Sequence, residues 1–203
     1  LVPFPFTMPS PRSAARRPVE TEAKIPVPSL APVKRRLRLA GARLEQRAAL
    51  ETNVLFDRPG ALLRQAGRSL RVRSFAGIGI MTSKGPATAR GGIKSRQELE
   101  SAVASPMTVQ TILKELGLVP AFRYEKYREV WELGAAVVCL DDTPLGAFVE
   151  IEGTVRSIER AARTLALDLG ASQASSYPAL WFASGRRGDM TFEKPRSPKG
   201  PRS

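Results

Sequence analysis

The chain has 203 residues, a length that suggests one domain or two small ones, and is 42% hydrophobic and 25% charged, an ordinary globular balance. It has no histidine and one cysteine, Cys139, which excludes imidazole acid–base chemistry, a His-ligated zinc site and an internal disulfide. No run of about 18 apolar residues exists, so no membrane-spanning helix is expected, while the net charge of +13 invites a polyanion as partner.

The chain opens on LVPFPFT, apolar but broken by two prolines and without a basic flank, so it does not read as a signal peptide; the first methionine is Met8. Residues 1–18 carry Arg12, Arg16 and Arg17 and no acid, and are expected to form a disordered basic tail. VETEAKIPV alternates and reads as a strand over Val19–Val27. Leu30, Val33, Leu37, Ala40 and Leu44 recur at helical spacing and predict a helix over Ser29–Leu44. ETNVLFD reads as a strand over Glu51–Asp57, ended by the turn Arg58-Pro59-Gly60. SLRVRSF and IGIMTSK predict a hairpin about Ala76-Gly77, and GIKSRQELE a weaker strand over Gly92–Glu100. Ser105-Pro106 is a helix start with serine at the N-cap and proline at N1; Val109, Ile112, Leu113 and Leu116 give the apolar face, and Gly117 the stop. Strands follow over Ala121–Leu133, Ala135–Leu140 and Ala147–Gly153, then a helix over Val155–Leu169 ended by Gly170. Residues 185–203, with six basic and two acidic residues among Pro, Ser and Gly, are expected to be a second basic tail, leaving 19–184 as the folded domain. More than half of the positive excess thus lies in the tails, so no specific nucleic acid and no membrane is expected as partner. A single cysteine fits a reducing cytoplasm.

Several predicted strands carry charges two apart, and residues at that spacing share one face. Such sets are Glu20, Glu22 and Lys24; Arg71 and Arg73; Arg96, Glu98 and Glu100; Lys126 and Arg128; and Glu150 and Glu152. Taken singly, each is what a half-exposed strand shows. Together they suggest more, because three amphipathic helices need an apolar surface, and Ala23, Ile25, Val72, Tyr127, Phe148, Val149 and Ile151 supply one. If the helices cover those residues, the charged faces point into a barrel. Arg71, Arg73, Lys126 and Arg128 would then repel one another when the barrel is empty, and a polyanion with metal would balance them. Without histidine, a metal site would rest on carboxylates, which favours Mg2+ or Mn2+.

These residues resemble the CYTH, or triphosphate tunnel metalloenzyme, superfamily. VETEAK is similar to its E-x-E-x-K motif, ETNVLFD with SLRVR to its N-x-x-[FY]-D … L-R-x-R stretch, TSKGP to T-x-K-G-P, RYEKYREVWEL to its K-x-R strand and VCLDDTPLGAFVEIEG to its closing strands, all in order over about residues 19–177. The resemblance implies an α+β fold: a closed or nearly closed antiparallel eight-stranded barrel with helices packed outside. It implies metal ligation by Glu20, Glu22, Glu150, Glu152 and Asp141, with Asp142 as alternative to its neighbour. It implies triphosphate binding by Lys24, Arg71, Arg73, Lys84, Lys126 and Arg128, with Lys24, Lys84 and Arg73 as the catalytic cations. Glu98, Glu100 and Arg123 are further candidates. Ser83, where an apolar residue is expected, and Gly91-Gly92-Ile93 depart from the pattern. The implied activity is Mg2+- or Mn2+-dependent chemistry on ATP, thiamine triphosphate or inorganic triphosphate, as a class IV adenylate cyclase or as a triphosphatase, in a monomer or homodimer. A non-catalytic polyphosphate- or nucleotide-binding module is the alternative, against which the intact carboxylates argue.

Overall fold

Most strands alternate an apolar face with a polar or charged one, and a closed sheet turns the charged faces toward one another and away from bulk water. The structure, a computed structural model, describes residues 19–193. Eight strands, β1 (Val19–Val27), β2 (Arg43–Asp57), β3 (Ser69–Phe75), β4 (Ile78–Arg90), β5 (Ile93–Val103), β6 (Val119–Leu133), β7 (Ala136–Thr143) and β8 (Gly146–Glu152), form a closed barrel in the order β1-β5-β4-β3-β2-β6-β7-β8. All the pairings are antiparallel, and β8 returns to β1 with Lys24 opposite Glu150. The α-helices are α1 (Leu30–Leu39), α2 (Leu62–Gln65), α3 (Pro106–Glu115), α4 (Val155–Thr164) and α5 (Tyr177–Ala183).

The helices lie outside. α1 and α4 cover β1, β7 and β8, where Val33, Leu37, Ile158, Ala161 and Leu165 pack on Ala23, Ile25, Val138, Val149 and Ile151. α3 covers a second patch, with Leu113 against Val54, Phe56 and Val72. Removing this much apolar surface from water is the main gain of the fold, on the order of 1.5–3 kcal/mol for each fully buried large side chain. Two expected helix contacts fall elsewhere. Phe148 shares the face of Glu150, not that of Val149, because adjacent strand residues point to opposite sides; it packs on Tyr177 inside the barrel. Tyr127 does face outward, but Phe192 covers it, with ring centroids 5.2 Å apart.

Element ends differ from the sequence expectation for local reasons. α1 stops at Leu39 and not at Leu44, because Gly41 turns the chain at φ +70° and β2 begins at Arg43. The helical spacing of Ala40 and Leu44 belonged to two elements. α4 ends at Thr164, where Leu165 caps it and Ala166 is left-handed; the glycine expected to end it, Gly170, lies in a 3-10 turn, Leu169–Ala171. That turn presses on the β4–β5 hairpin: Gly92 has φ +75°, and a Cβ there would meet Leu169 O at 2.2 Å. The glycine that departed from the family pattern is required by this contact. β1 pairs with β5 only over Val19–Glu22, and beyond it Lys24 N donates to Ser172 Oγ (3.1 Å) while Lys24 O accepts from Gln173 N (2.7 Å).

The packed chain also runs past the expected boundary at Ser184. Met190 is fully buried and bridges to Tyr124: its N donates to Arg123 O and its O accepts from Glu125 N, both at 2.9 Å. β7 pairs with β6 only from Tyr127 onward, so this segment satisfies backbone groups on the first half of β6. The basic tails expected over 1–18 and in the last ten residues lie outside the described residues. No helix among the described residues is long and apolar enough to cross a membrane.

Candidate active site

The inward faces line a cavity of about 960 Å3. β1 contributes Glu20, Glu22 and Lys24; β3 Arg71 and Arg73; β4 Lys84; β5 Lys94, Arg96, Glu98 and Glu100; β6 Lys126 and Arg128; and β8 Glu150 and Glu152. Asp141 sits on the same face of β7 as the lining residue Cys139, fully buried. Burial keeps most of these charges from water, Glu100 being the exposed exception, so each buried one needs a partner.

At one side three carboxylates converge. One oxygen each from Glu20, Glu22 and Glu152 lie within 4.8 Å of one another. Lys84 Nζ stands 2.6 Å from Glu20 Oε2 and 2.8 Å from Glu98 Oε2, and Lys94 pairs with Glu22. Burial opposes ionisation of Glu20, yet the hydrogen bond with Glu98 and the Lys84 charge hold it at about 2. Burial and the shared hydrogen bond with Glu20 push Glu98 to about 9, so that carboxyl keeps its proton at neutral pH. Burial raises Glu152 to about 7, with Arg128 opposing and the Glu20, Glu150 and Glu22 charges adding to the rise.

Deeper in the lumen the cations gather. Lys126 Nζ donates to Asp141 Oδ2 (2.9 Å), and Arg128 donates from Nε to Asp141 Oδ1 (2.7 Å) and from Nη2 to Asp141 Oδ2 (2.6 Å) and to Glu150. Glu150 Oε1 is 3.2 Å from Lys24 Nζ. Tyr177, from α5, donates its hydroxyl to Asp141 Oδ2 at 2.8 Å, and its ring lies 4.1 Å from Lys24 Nζ. Beneath them Glu51 of β2 is fully buried; burial opposes its charge, but Lys126, Arg128 and Arg73 hold it at about 2. Arg71 Nη2 donates to Thr82 Oγ1 (3.3 Å), and both Arg71 and Arg73 reach Glu100 Oε1, at 3.5 and 3.8 Å. The lumen is therefore no set of repelling cations: carboxylates from neighbouring strands stand beside them. Nε of Arg71 and of Arg73 are nevertheless buried without a hydrogen-bond acceptor. Both residues line the cavity and keep donor capacity that the described residues do not use, which suits an anion.

Most of the expected residues thus meet in one lumen, with a division the sequence did not show. Glu20, Glu22 and Glu152 form the carboxylate cluster, while Asp141 and Glu150 have their oxygens engaged by Lys24, Lys126, Arg128 and Tyr177. Arg123 does not join them: it lies between the inward Phe122 and Tyr124 on β6 and is exposed, its backbone N donating to Asp189 Oδ1 at 2.8 Å. Asp142 points opposite to Asp141 and sits beside the outward Tyr127, so it is not an alternative lumen ligand. Sequence reasoning missed Lys94, although it precedes Arg96, Glu98 and Glu100 at the same parity. It also missed Glu51, two residues before Asn53 on the inward face of β2, and Tyr177, for which only tertiary contact gives a signal.

The sequence model of the CYTH domain matches residues 19–177. A protein of Methanocaldococcus jannaschii named a putative adenylate cyclase is 25% identical over 148 residues, covering 72% of this chain and 83% of its own. The structure of a putative adenylate cyclase from Vibrio parahaemolyticus superposes with a TM-score of 0.73 at 21% identity, covering 82% of this chain and 99% of that one. A Hippeastrum protein, named a putative adenylyl cyclase and described as having a dominant triphosphatase activity, superposes with a TM-score of 0.59 at 16% identity, covering 83% and 96%. At these identities the two structures speak for the fold alone.

Proposed function

The chain belongs to the CYTH domain family, and on that premise we propose that it is a divalent-metal-dependent enzyme that binds a triphosphate in the barrel lumen and cleaves it, by hydrolysis or by cyclising a nucleotide. The observation that supports this reading is that Arg71 and Arg73, whose buried Nε atoms have no hydrogen-bond acceptor among the described residues, line the same cavity as a three-carboxylate cluster.

The cluster fits a hard cation. Glu20, Glu22 and Glu152 offer oxygen only, one each within 4.8 Å of one another, and would draw closer to meet a Mg2+ whose ligands lie about 2.0–2.1 Å away. The proton retained by Glu152 to about pH 7 reflects its burial and like-charged neighbours, a burden a cation relieves. Bound there, Mg2+ or Mn2+ would supply Lewis-acid polarisation of phosphate oxygens.

The remaining work falls to the chain. Arg71 and Arg73 present planar donors to the phosphate oxygens, Lys84 approaches from the carboxylate side, and Lys24, Lys126 and Arg128 from the deep side. All six stand on barrel strands, so the triphosphate would be held without paying for side-chain ordering at the moment of reaction. Asp141 and Glu150 fix the orientation of Arg128 and Lys126, a positioning role that their engaged oxygens favour over metal ligation. Phosphoryl chemistry depends on positioning and charge stabilisation, which suits a lumen without histidine. Hydrolysis and cyclisation share this bound state and differ in the attacking oxygen. The test is a product assay with ATP, thiamine triphosphate and inorganic triphosphate, each with Mg2+ or Mn2+. Cyclic nucleotide with pyrophosphate identifies a cyclase, and phosphate with a diphosphate identifies a hydrolase. No turnover of any of the three with either ion would contradict the proposal.

A further inference from the structure

We propose that the outer face formed by α1 and α4 docks on an anionic lipid bilayer. Docking there is independent of the chemistry assigned to the lumen.

The positive charge of the folded part is unevenly placed. Of the net +13, residues 1–18 hold +3 and residues 185–203 hold +4, which leaves +6 for residues 19–184. α1 carries Lys34, Arg35, Arg36 and Arg38 and no acid, and α4 carries Arg156, Arg160 and Arg163 against Glu159, so the two helices by themselves hold +6. Elsewhere in residues 19–184 cations and carboxylates balance. The helices are neighbours: both pack on one apolar cluster, and Arg36 Nη1 donates to Leu165 O at the end of α4 (3.1 Å).

Helical spacing turns the arginines outward. On α4, Ile158, Ala161 and Ala162 are buried, and Arg156, Arg160 and Arg163, at i, i+4 and i+7, form the opposite ridge. On α1, Val33 and Leu37 are buried, and Arg35, Arg38 and Leu39 are exposed, while Lys34 is engaged by Glu129. Among the described residues none of Arg35, Arg38, Arg156, Arg160 and Arg163 forms an ion pair, Glu159 included as a possible partner. The arrangement has a local cost. Like charges at i, i+4 destabilise a helix, and Arg156 lies in the first turn of α4, where the helix dipole disfavours a cation. A solvated face commonly mixes both signs; a ridge of unpaired arginines complements a negatively charged surface.

What else the face offers selects a lipid surface. Two helices side by side present a face roughly 20 Å wide, broader than the DNA major groove of about 12 Å. Neither helix contains an aromatic residue on which a base could stack. Leu39 is instead 79% exposed next to Arg38. Guanidiniums at the level of lipid phosphates, with an aliphatic side chain reaching past them, are the pattern of an interfacial helix. Such a contact needs no membrane-spanning helix. The charge count in the terminal segments gave no reason to expect a membrane; the placement of the remaining charge does.

The test is flotation of the full chain with vesicles of phosphatidylcholine alone and of phosphatidylcholine with about one-third phosphatidylglycerol, beside binding to a DNA duplex, all at about 0.1 M salt. The wild type is expected to bind the anionic vesicles and not the neutral ones. Arg156→Gln/Arg160→Gln/Arg163→Gln should weaken that binding about a hundredfold, with a melting temperature no lower than the wild type's. Lys114→Gln/Arg123→Gln/Arg187→Gln, which removes three exposed cations from other elements, should weaken it less than about fivefold. Leu39→Ser should weaken it several-fold. No binding of the wild type to the anionic vesicles, or equal losses in the two triple variants, overturns the docking face. Vesicle binding that Leu39→Ser leaves unchanged overturns the lipid assignment. Tighter binding to the duplex than to the vesicles, lost in the α4 triple variant, overturns it too and gives the face to nucleic acid.

Discussion

Among single residues, Glu51 shows how the lumen constrains stability. It is fully buried and kept ionised by Lys126, Arg128 and Arg73. Its folded pKa, about 2, lies below the ordinary 4.5, so between those values the unfolded chain binds more protons than the folded one. The stability it contributes is complete above about pH 4.5 and is lost as pH falls toward 2. The shift corresponds to about 3 kcal/mol. Glu51→Gln should flatten the acid limb of the unfolding profile over that window and lower stability at neutral pH, where the buried cations lose a counter-charge. Urea unfolding from pH 2 to pH 7 reads both; an acid limb as steep as the wild type's would show that Glu51 is not the responsible group. A second substitution addresses the metal. Glu22→Gln should reduce Mg2+- or Mn2+-dependent turnover by at least about a hundredfold while the melting temperature stays within a few degrees. Wild-type turnover in that variant would remove Glu22 from the metal set. At this scale the sequence was legible by parity. Two-apart charges placed the acidic pairs and the basic pairs on the lumen face, and continuing β5 backward by two residues would have added Lys94. Asp141 against Asp142 was open until the register set Asp141 opposite Arg128. Tyr177 was beyond reach, since its contact with Asp141 spans 36 residues and depends on how α5 docks.

At the scale of elements, the strands were more legible than their lengths. β1 and β3 have the predicted bounds, because each is flanked by turn residues. β2 begins eight residues earlier than Glu51, in a stretch whose exposed, mixed composition imitates a helix. α3 has the cap the sequence announced, with Ser105 Oγ accepting from Thr108 N. α2 and α5 are short, and their apolar residues show no period long enough to read. The segment after α5 is the larger departure. It has tail-like composition, yet Met190 and two backbone hydrogen bonds tie it to β6. Ending the chain after Glu193 should leave the melting temperature within about a degree. Ending it after Ser184 removes a buried methionine worth about 1.5–3 kcal/mol and should lower the melting temperature by several degrees. Calorimetry of the two truncations decides; equal melting temperatures would mean that the segment adds nothing to the barrel.

For the whole molecule, the claim is that cations and carboxylates buried in one lumen exist to hold a metal–triphosphate. The fold class came from the resemblance to the CYTH superfamily, with which the two-faced strands and amphipathic helices agreed: helices on the apolar faces leave the charged faces to a barrel interior, and the structure closes that barrel. The lumen's internal pairing was not legible, because it depends on which strands become neighbours. A ligand that binds only the folded state stabilises it, by roughly 2.7 kcal/mol at about 100 times its dissociation constant. For a domain of this size that is a rise in melting temperature of about 5–10 °C. Arg73 lines the cavity, whereas Arg187 is exposed and donates to Arg186 O. The direct measurement is the melting shift caused by saturating triphosphate in the wild type, Arg73→Ala and Arg187→Ala. The account predicts a full shift in the wild type and in Arg187→Ala and a much smaller one in Arg73→Ala, whose ligand-free protein also melts lower because Glu51 and Glu100 lose a partner. Equal shifts in all three proteins would contradict it.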